Sequence, residues 1–287
     1  MLNGIDVASY QTGLDPAVVP CDFVIVKATQ GTTYKNPDFQ RMANATLAAG
    51  KLLGIYHYAS GNNPISEANF FIETIKPYIG KAILALDWEK DQNPQFGRSD
   101  ISWCKTFLDH VKEKTGVTSF IYMSKDMGCR AHNWIAVSRD YPLWGAQYAN
   151  YDTIGYQSNP WTSDTTWGTW DKVTIFQYSS RGALSGWWDN SWKYLDLDLA
   201  YMDSKEWAEW ATGKPVEDPF PNKSDSDLAV EILFNKHGVD ETRRKKLGIR
   251  WAGAQAQVDK LLGDKSKFPL ILAIQKYLKK HGTGDLL

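Results

Sequence analysis

"ILALDWE", residues 83–89, decides how this chain folds. Four apolar residues run into Asp87, Trp88 and Glu89, so a strand that reads as buried ends on two acids set two positions apart. Side chains alternate across a strand. Ile83, Ala85, Asp87 and Glu89 therefore share one face, and Leu84, Leu86 and Trp88 share the other. The partition recurs in "YLDLDLA" (194–200), where Leu195, Leu197 and Leu199 oppose Asp196 and Asp198. It recurs again in "GIDVA" (4–8), where Ile5 and Val7 oppose Gly4 and Asp6. A carboxylate aimed inward is costly unless it is solvated or partnered. Three strands that repeat the cost imply one shared cleft.

Working outward, eight β-rich runs can be read: "NGIDVAS", "DFVIVKAT", "LLGIYHYA", "AILALDWE", "TSFIYMS", "LWGAQYA", "VTIFQYS" and "YLDLDLAY". Longer segments with capping starts and near-helical apolar spacing separate the first five. Gly-, Trp- and Ser-rich connections separate the last three. The fold class is α/β, and the pattern predicts an irregular TIM-like (β/α) barrel of eight strands, imperfect in its last third. An open doubly wound sheet is the alternative, but no GxGxxG or Walker loop follows any strand. In a barrel, functional groups gather where strands end, so the acids are expected at one rim.

The chain has 287 residues, 43% hydrophobic and 23% charged, which suits a globular protein with no membrane insertion. "MLNGIDVASY" enters a strand pattern at once, leaving no room for a signal peptide. Cys21, Cys104 and Cys129 show no ligand spacing and read as buried free thiols. The five histidines form no ligand pair, and His57, facing away from Tyr56 and Tyr58, reads as structural. The net charge of -1 hides a division: the stretch from Asn222 onward carries +5 and the rest -6. "TGKPVEDPFPNKSDSD" (212–227), with three prolines and no apolar period, reads as a linker. The expected organisation is a barrel domain over 1–211, a linker over 212–225 and a helical domain over 226–287.

Acids crowded at one rim repel each other, and partial desolvation adds to the effect, so at least one keeps its proton near neutral pH. A protonated acid beside an ionised one is what glycosidic cleavage requires. Glu89, with the longer reach, is the candidate acid, and Asp87, Asp6 and Asp196 complete the cluster. Duller readings compete: solvated loop charge, a divalent-cation site, or a structural ion-pair network. Only Lys27 is well placed as a strand cation. The abundant aromatics favour sugar binding.

"GIDVASYQ", "VIVKATQGTTYKNP", "GIYHYA", "LALDWE" and "YLDLDLAY" stand in the order found in glycoside hydrolase family 25, which this chain resembles over roughly positions 3–210. That family comprises the lysozymes (N-acetylmuramidases) typical of phage endolysins and bacterial autolysins. The resemblance implies an irregular (β/α) barrel that cleaves the β-1,4 bond between N-acetylmuramic acid and N-acetylglucosamine in peptidoglycan, with no cofactor and no metal. It implies Glu89 as general acid and Asp87 as its partner, with Asp6 and Asp196 as an acidic floor. Lys27 and Tyr34 match the family's substrate-contacting segment; Tyr58, Tyr122, Trp144 and Gln177 are further candidates for substrate binding. Retention, assisted by the substrate's acetamide, and inversion both remain open. So do two rival functions: a catalytically silent peptidoglycan-binding barrel, and a chitin-type glycosidase, although position 85 is Ala where an Asp-x-Asp-x-Glu run would have an acid. The Trp-rich stretch 159–170 reads as a loop packing its own aromatics or as a cleft wall.

Residues 226–263 read as three short helices, with Leu228, Val230, Ile232 and Leu233 as the first apolar stripe. "AVEIL", Gly238, Arg243, Leu247 and "AQAQVDKLL" resemble the CW-seven cell-wall-binding repeat. The usual Trp-Gly-Asn-Gly turn is "HGVD" here, and Trp251 stands near where a Tyr is usual. Arg243 is the contact that the resemblance implies. "FPLILAIQKYLKKHG" (268–282) is a further amphipathic segment, and a single copy of a repeat that usually comes in series points to a homo-oligomer through the C-terminal helices. Nucleic acid is not an expected partner, because the basic charge is modest and spread. A wall hydrolase without a leader fits an endolysin that waits in the host cytoplasm and acts on the wall after release.

Overall fold

All eight strand-like runs form strands in the computed structural model, which describes residues 1–98, 100–189, 193–215, 219–238 and 240–263. They are β1 (Leu2–Val7), β2 (Phe23–Gln30), β4 (Leu52–Tyr58), β5 (Ala82–Asp87), β6 (Phe120–Ser124), β7 (Leu143–Ala146), β8 (Ile175–Gly182) and β9 (Leu195–Ala200). The sequence pattern had not shown β3 (Tyr34–Lys35), a two-residue strand that folds back antiparallel on the end of β2. The pairing order is β1-β9-β8-β7-β6-β5-β4-β2, and β1 also pairs with β2, so the sheet closes on itself. Helices α1 (Phe39–Ala48), α2 (Pro64–Ile75) and α3 (Asp100–Thr115) cover the first half, α4 (Ile135–Ser138) is a single turn, and α5 (Ser204–Thr212) follows the last strand.

One departure from the expected parallel barrel matters for function. β9 runs antiparallel to both β8 and β1. A parallel return needs a crossover long enough to carry the chain back to the starting end of the sheet, usually with a helix. The connection from 183 to 194 contains no helix among its described residues, so β9 starts at the rim where β8 ends. Asp196, near the start of β9, is therefore level with Asp6, near the end of β1, and the two pair directly.

Alternation sorts the core into two layers. Leu84, Leu86 and Trp88 lie in the outer one with Ile5, Val7, Leu195 and Leu197, packed under Phe71 of α2 and Phe107 of α3. Ile83 and Ala85 lie inside the barrel with Phe23, Ile25, Phe120 and Trp144. Trp207 of α5 plugs the far end, its ring 4.6 Å from that of Phe23 and its indole N–H donating to Leu53 O at 3.3 Å. Gly4 makes room for this plug, since a Cβ there would stand 2.2 Å from the Phe23 ring. With one end filled by large apolar side chains, the polar groups are left to the other.

The chain divides into two compact units, Met1–Pro215 and Val216–Leu287. In the second, α6 (Asp225–Leu233) starts on a Ser224–Asp227 capping box, and α7 (Asp240–Leu247) and α8 (Trp251–Gly263) follow. Leu228, Ala229, Ile232, Leu247, Ala254 and Val258 form its small core. Val230, read from the sequence as part of the buried stripe, is 43% exposed instead; it lies two residues from both Leu228 and Ile232, off the face that those two share on a helix. Arg243 donates its Nε–H to Gly238 O at 2.8 Å. The amphipathic segment 268–282 lies outside the described residues. Among those described, no helix is long and apolar enough to cross a membrane.

Candidate active site

β5 ends at Asp87, and Glu89 stands two residues beyond it. What fixes this turn is Trp88. Its side chain is fully buried on the helix side, stacked between Trp103 (4.9 Å) and Phe96 (6.2 Å). Its indole N–H donates to Asp100 Oδ1 at 2.8 Å, and the same oxygen accepts from Gly97 N at 2.9 Å. A tryptophan locked outward leaves its two neighbours facing the barrel axis.

Asp87 and Glu89 meet at the mouth of a cavity of about 340 Å³, which Asp6, Asp196, Lys27, Tyr56, Tyr58, Tyr122, Trp144, Tyr148 and Gln177 also line. The two carboxyls are not separate charges spread along a strand. The charge of Glu89 acts on Asp87, whose Oδ1 is buried with no hydrogen-bond partner among the described residues. Carboxyls that interact this strongly titrate as a unit. Burial, then the charge of Glu89, pushes Asp87 well above the ordinary carboxylate range. Burial also raises Glu89.

A second pair repeats the arrangement below the first. Burial and the charge of Asp198 raise Asp6 well above its ordinary value, and Asp198 is pushed up to about 7 by burial. Asp198 Oδ1 accepts from Trp144 Nε1 at 2.8 Å, whereas its Oδ2 is buried with no hydrogen-bond partner among the described residues. Asp196 is raised as well, by burial first and then by the charges of Asp6 and Glu89.

Gln177 ties this floor together. Its amide donates to Asp6 Oδ2 at 2.6 Å, and its carbonyl accepts the hydroxyls of Tyr122 at 2.8 Å and Tyr148 at 2.5 Å. Lys27 is the cation of the cavity. Its Nζ donates to Gln30 Oε1 at 2.7 Å and lies 4.4 Å over the Tyr58 ring, and burial lowers its pKa. Tyr58 in turn donates its hydroxyl to Asp91 O at 2.7 Å.

Of the residues singled out in the sequence, the four acids, Lys27, Tyr58, Tyr122, Trp144 and Gln177 line this one cavity. Tyr34 does not; it lines an adjoining lobe. Arg243 belongs to the second unit. Trp144 is 2% exposed with its N–H committed to Asp198, so it supports the floor. Sequence reasoning missed Tyr56 and Tyr148, though each shares its strand face with a residue it named. It also left out Asp198, which the alternation had put beside Asp196. The loop holding the Trp-rich stretch packs Trp167 and Trp170 inward and leaves Trp161 half exposed. It is pinned by the buried Lys125, whose Nζ reaches Thr162 Oγ1 at 2.7 Å and Asp164 O at 2.6 Å. His57 faces outward, bonded to Thr29 and Glu67 at 2.8 Å each. Among the described residues, no group of three or more His, Cys, Asp or Glu side chains could hold a metal ion.

The model of glycosyl hydrolases family 25 matches residues 5–187, from Asp6's own strand through Asp87, Glu89 and Gln177. The chain belongs to that family. Among relatives of the family 25 chain, an autolytic lysozyme of Clostridium acetobutylicum is 28% identical over 188 residues, covering 64% of this chain and 52% of the relative. The chain thus spans about half the length of that relative. An N,O-diacetylmuramidase of Chalaropsis sp is 29% identical over 203 residues, covering 64% of this chain and 91% of the relative. The solved muramidase of Acremonium alcalophilum shares the fold, with a TM-score of 0.58 at 22% identity over 75% of this chain and all of that one.

Proposed function

We propose that this family 25 chain is a peptidoglycan hydrolase, a muramidase that cuts the β-1,4 bond between N-acetylmuramic acid and N-acetylglucosamine. One observation carries the reading: two neighbouring carboxyls with raised pKa line one open, aromatic-walled cavity together with Asp6 and Asp196. The relatives named as lysozyme and N,O-diacetylmuramidase support it. A silent binding barrel would keep its shape without holding a proton at the mouth. A chitin-type enzyme is disfavoured by Ala85, which lies buried inside the barrel where a third acid of an Asp-x-Asp-x-Glu run would stand.

Glu89 gives the proton to the glycosidic oxygen as the bond to the anomeric carbon breaks. Asp87 and Glu89 leave the same end of β5, two residues apart, which suits Asp87 to orient a group beside the acid rather than to attack from the opposite face of the ring. We therefore assign the attack to the substrate's own acetamide carbonyl, oriented by Asp87, with retention of configuration. Glu89, now ionised, then takes a proton from the water that opens the cyclic intermediate. Asp6 and Asp196 supply negative potential beneath the developing positive charge.

Glu89→Gln removes the transferable proton while keeping the shape. It is expected to abolish lysis of purified walls in a turbidity assay with the melting temperature unchanged; near-normal turnover would overturn the assignment. Mass spectrometry of the products identifies the new reducing sugar, and early anomer analysis distinguishes retention from inversion. For the second unit, the resemblance to a wall-binding repeat supports a targeting role with Arg243 in contact. Its test is wall sedimentation of Glu89→Gln with and without Arg243→Ala. The same reading takes the enzyme to the wall after release from a host cytoplasm.

A further inference from the structure

A buried ammonium stands outside the acid cavity and takes no part in proton transfer or attack. Lys125 follows directly on β6 and begins a π-helical turn, Lys125–Cys129. Its side chain has no exposed surface. Nζ donates to Thr162 Oγ1 at 2.7 Å and to Asp164 O at 2.6 Å, lies 3.3 Å from Asp164 Oδ1, and stands 4.6 Å over the Trp167 ring. All three partners belong to the long connection between β7 and β8. Taking an ammonium out of water is costly, and well-packed apolar side chains often match or exceed a buried ion pair in stability. The charge is therefore explained better by what it holds in place than by the stability it adds.

What it holds leads back to the floor of the cavity. Asp164 O is already served by Lys125, so the Thr162 hydroxyl, which accepts from the same ammonium, is free to donate to Gln147 Oε1 at 2.8 Å. That oxygen also accepts from Ser163 N at 3.0 Å, and Gln147 Nε2 donates back to Ser163 Oγ at 3.0 Å. Gln147 stands immediately beyond β7, and its own N–H donates to Gln177 O at 3.1 Å. The next residue is Tyr148, which lines the cavity and donates its hydroxyl to Gln177 Oε1. Gln177 in turn donates to Asp6. A line of short polar contacts thus runs from a buried cation at the end of β6, through the β7–β8 connection, to an acid of the site. The connection is closely seated: a Cβ on Gly168 (φ +64°) would stand 2.0 Å from Cys129 O. Arg130 grips the same connection from outside, at Asp164 (2.5 Å) and Thr166 (2.8 Å), with no hydrogen bond to Thr162 or Gln147 among the described residues.

We propose that Lys125 is a positioning residue for the muramidase reaction, acting through Thr162 and Gln147 to hold Tyr148 and Gln177 against Asp6. The assignment rests on the muramidase reading and deepens it. Neither Lys125 nor Thr162 lines the acid cavity. Their effect reaches the reacting groups at one remove: the cation orders the Thr162 hydroxyl, the hydroxyl orders the Gln147 amide, and that amide fixes the backbone from which Tyr148 projects. Tyr148 and Tyr122 together occupy the Gln177 carbonyl, which leaves the Gln177 amide aimed at Asp6. Slackening the line lets Gln177 turn and alters the potential beneath the developing positive charge. Preorganised groups of this kind act on the transition state more than on the ground state, so the loss is expected in kcat rather than in KM.

The test uses the full chain on purified walls, scored by the reducing ends released. Thr162→Val exchanges one hydroxyl for one methyl and leaves Lys125 bonded to Asp164, so it cuts the line while keeping the fold. Its kcat is expected to fall about tenfold with KM little changed, since displacement by an ångström can cost a hundredfold. Thr162→Ser restores the hydroxyl and is expected to return kcat to the wild-type value, and Lys125→Met is expected to lose at least as much as Thr162→Val. In a double-mutant cycle with Tyr148→Phe, the pair is expected to lose no more than the worse single variant, because residues of one network are not additive. Arg130→Ala loosens the connection without cutting the line; it is expected to lower the melting temperature and leave kcat unchanged. Wild-type kcat in Thr162→Val, multiplicative losses in the cycle, or an equal loss of kcat in Arg130→Ala would each overturn the assignment. A wild type that releases no reducing ends would overturn the muramidase reading and the assignment with it, whereas the other outcomes, seen with an active wild type, strike the assignment of Lys125 alone.

Discussion

Trp88→Phe isolates the part of the site that works through packing. The indole N–H to Asp100 is a fully buried hydrogen bond to a carboxylate, and bonds to charged groups contribute about 1.5–3 kcal/mol. Phenylalanine still fills most of the space between Trp103 and Phe96. The volume difference of roughly 40 Å³ at about 24 cal/mol per Å³ adds about 1 kcal/mol. The expected loss is therefore about 2.5–4 kcal/mol, or about 5–16 °C in melting temperature for a unit of this size. Because the pin also aims Glu89, kcat on purified walls should fall at least about tenfold with KM little changed, since misplacement by an ångström can cost a hundredfold. Asp100→Asn keeps an acceptor for the indole and should show roughly half the stability loss. The reasoning fails if Trp88→Phe melts like wild type, or if it loses stability and turns over at the full rate.

Two further outcomes follow from the buried acids. Asp198, pushed up to about 7 from an ordinary value of 3.8, holds its proton longer in the folded chain than in the unfolded one. Its contribution to stability is full below about pH 4 and is lost as pH rises toward 7. Asp198→Asn, which can donate to Asp6 without a proton to lose, should match wild type near pH 4 and melt progressively higher than it between pH 4 and 7; parallel melting curves across that window would refute the shared proton. Glu67 has the opposite sign: its pKa is lowered by His57 and the backbone donors despite burial, so its contribution is present above about pH 4.5 and lost as pH falls. Glu67→Ala should cost about 3–5 kcal/mol at neutral pH, read as a drop in denaturation midpoint that narrows on acidification.

The alternation in "ILALDWE", "GIDVA" and "YLDLDLA" was enough to place those three strands and to aim the acids inward, because a period of two survives any packing arrangement. Direction was a different matter. β9 carries the same signature whether it runs up or down the barrel; only the length and composition of 183–194 bear on it, and that segment has no pattern to read. Asp198 illustrates a second limit. It shares a face with Asp196, yet depth along the strand decides that one lines the cavity while the other lies beneath it paired to Asp6, and depth is set by register with β1 and β8. Tyr34 fell into the neighbouring lobe because a two-residue strand leaves no periodic trace.

The reversal of β9 also decides where this architecture can tolerate change. In an all-parallel barrel, every segment that reaches the catalytic mouth continues into a helix that must pack against the outside before the next strand begins. Here the stretch from 183 to 194 leaves the mouth at Gly182 and re-enters the sheet at Leu195 on the same side. Apart from Leu184, which packs into the outer core, residues could be exchanged or added there without re-docking a helix or breaking the ring of strands. It is the first place to graft a new specificity.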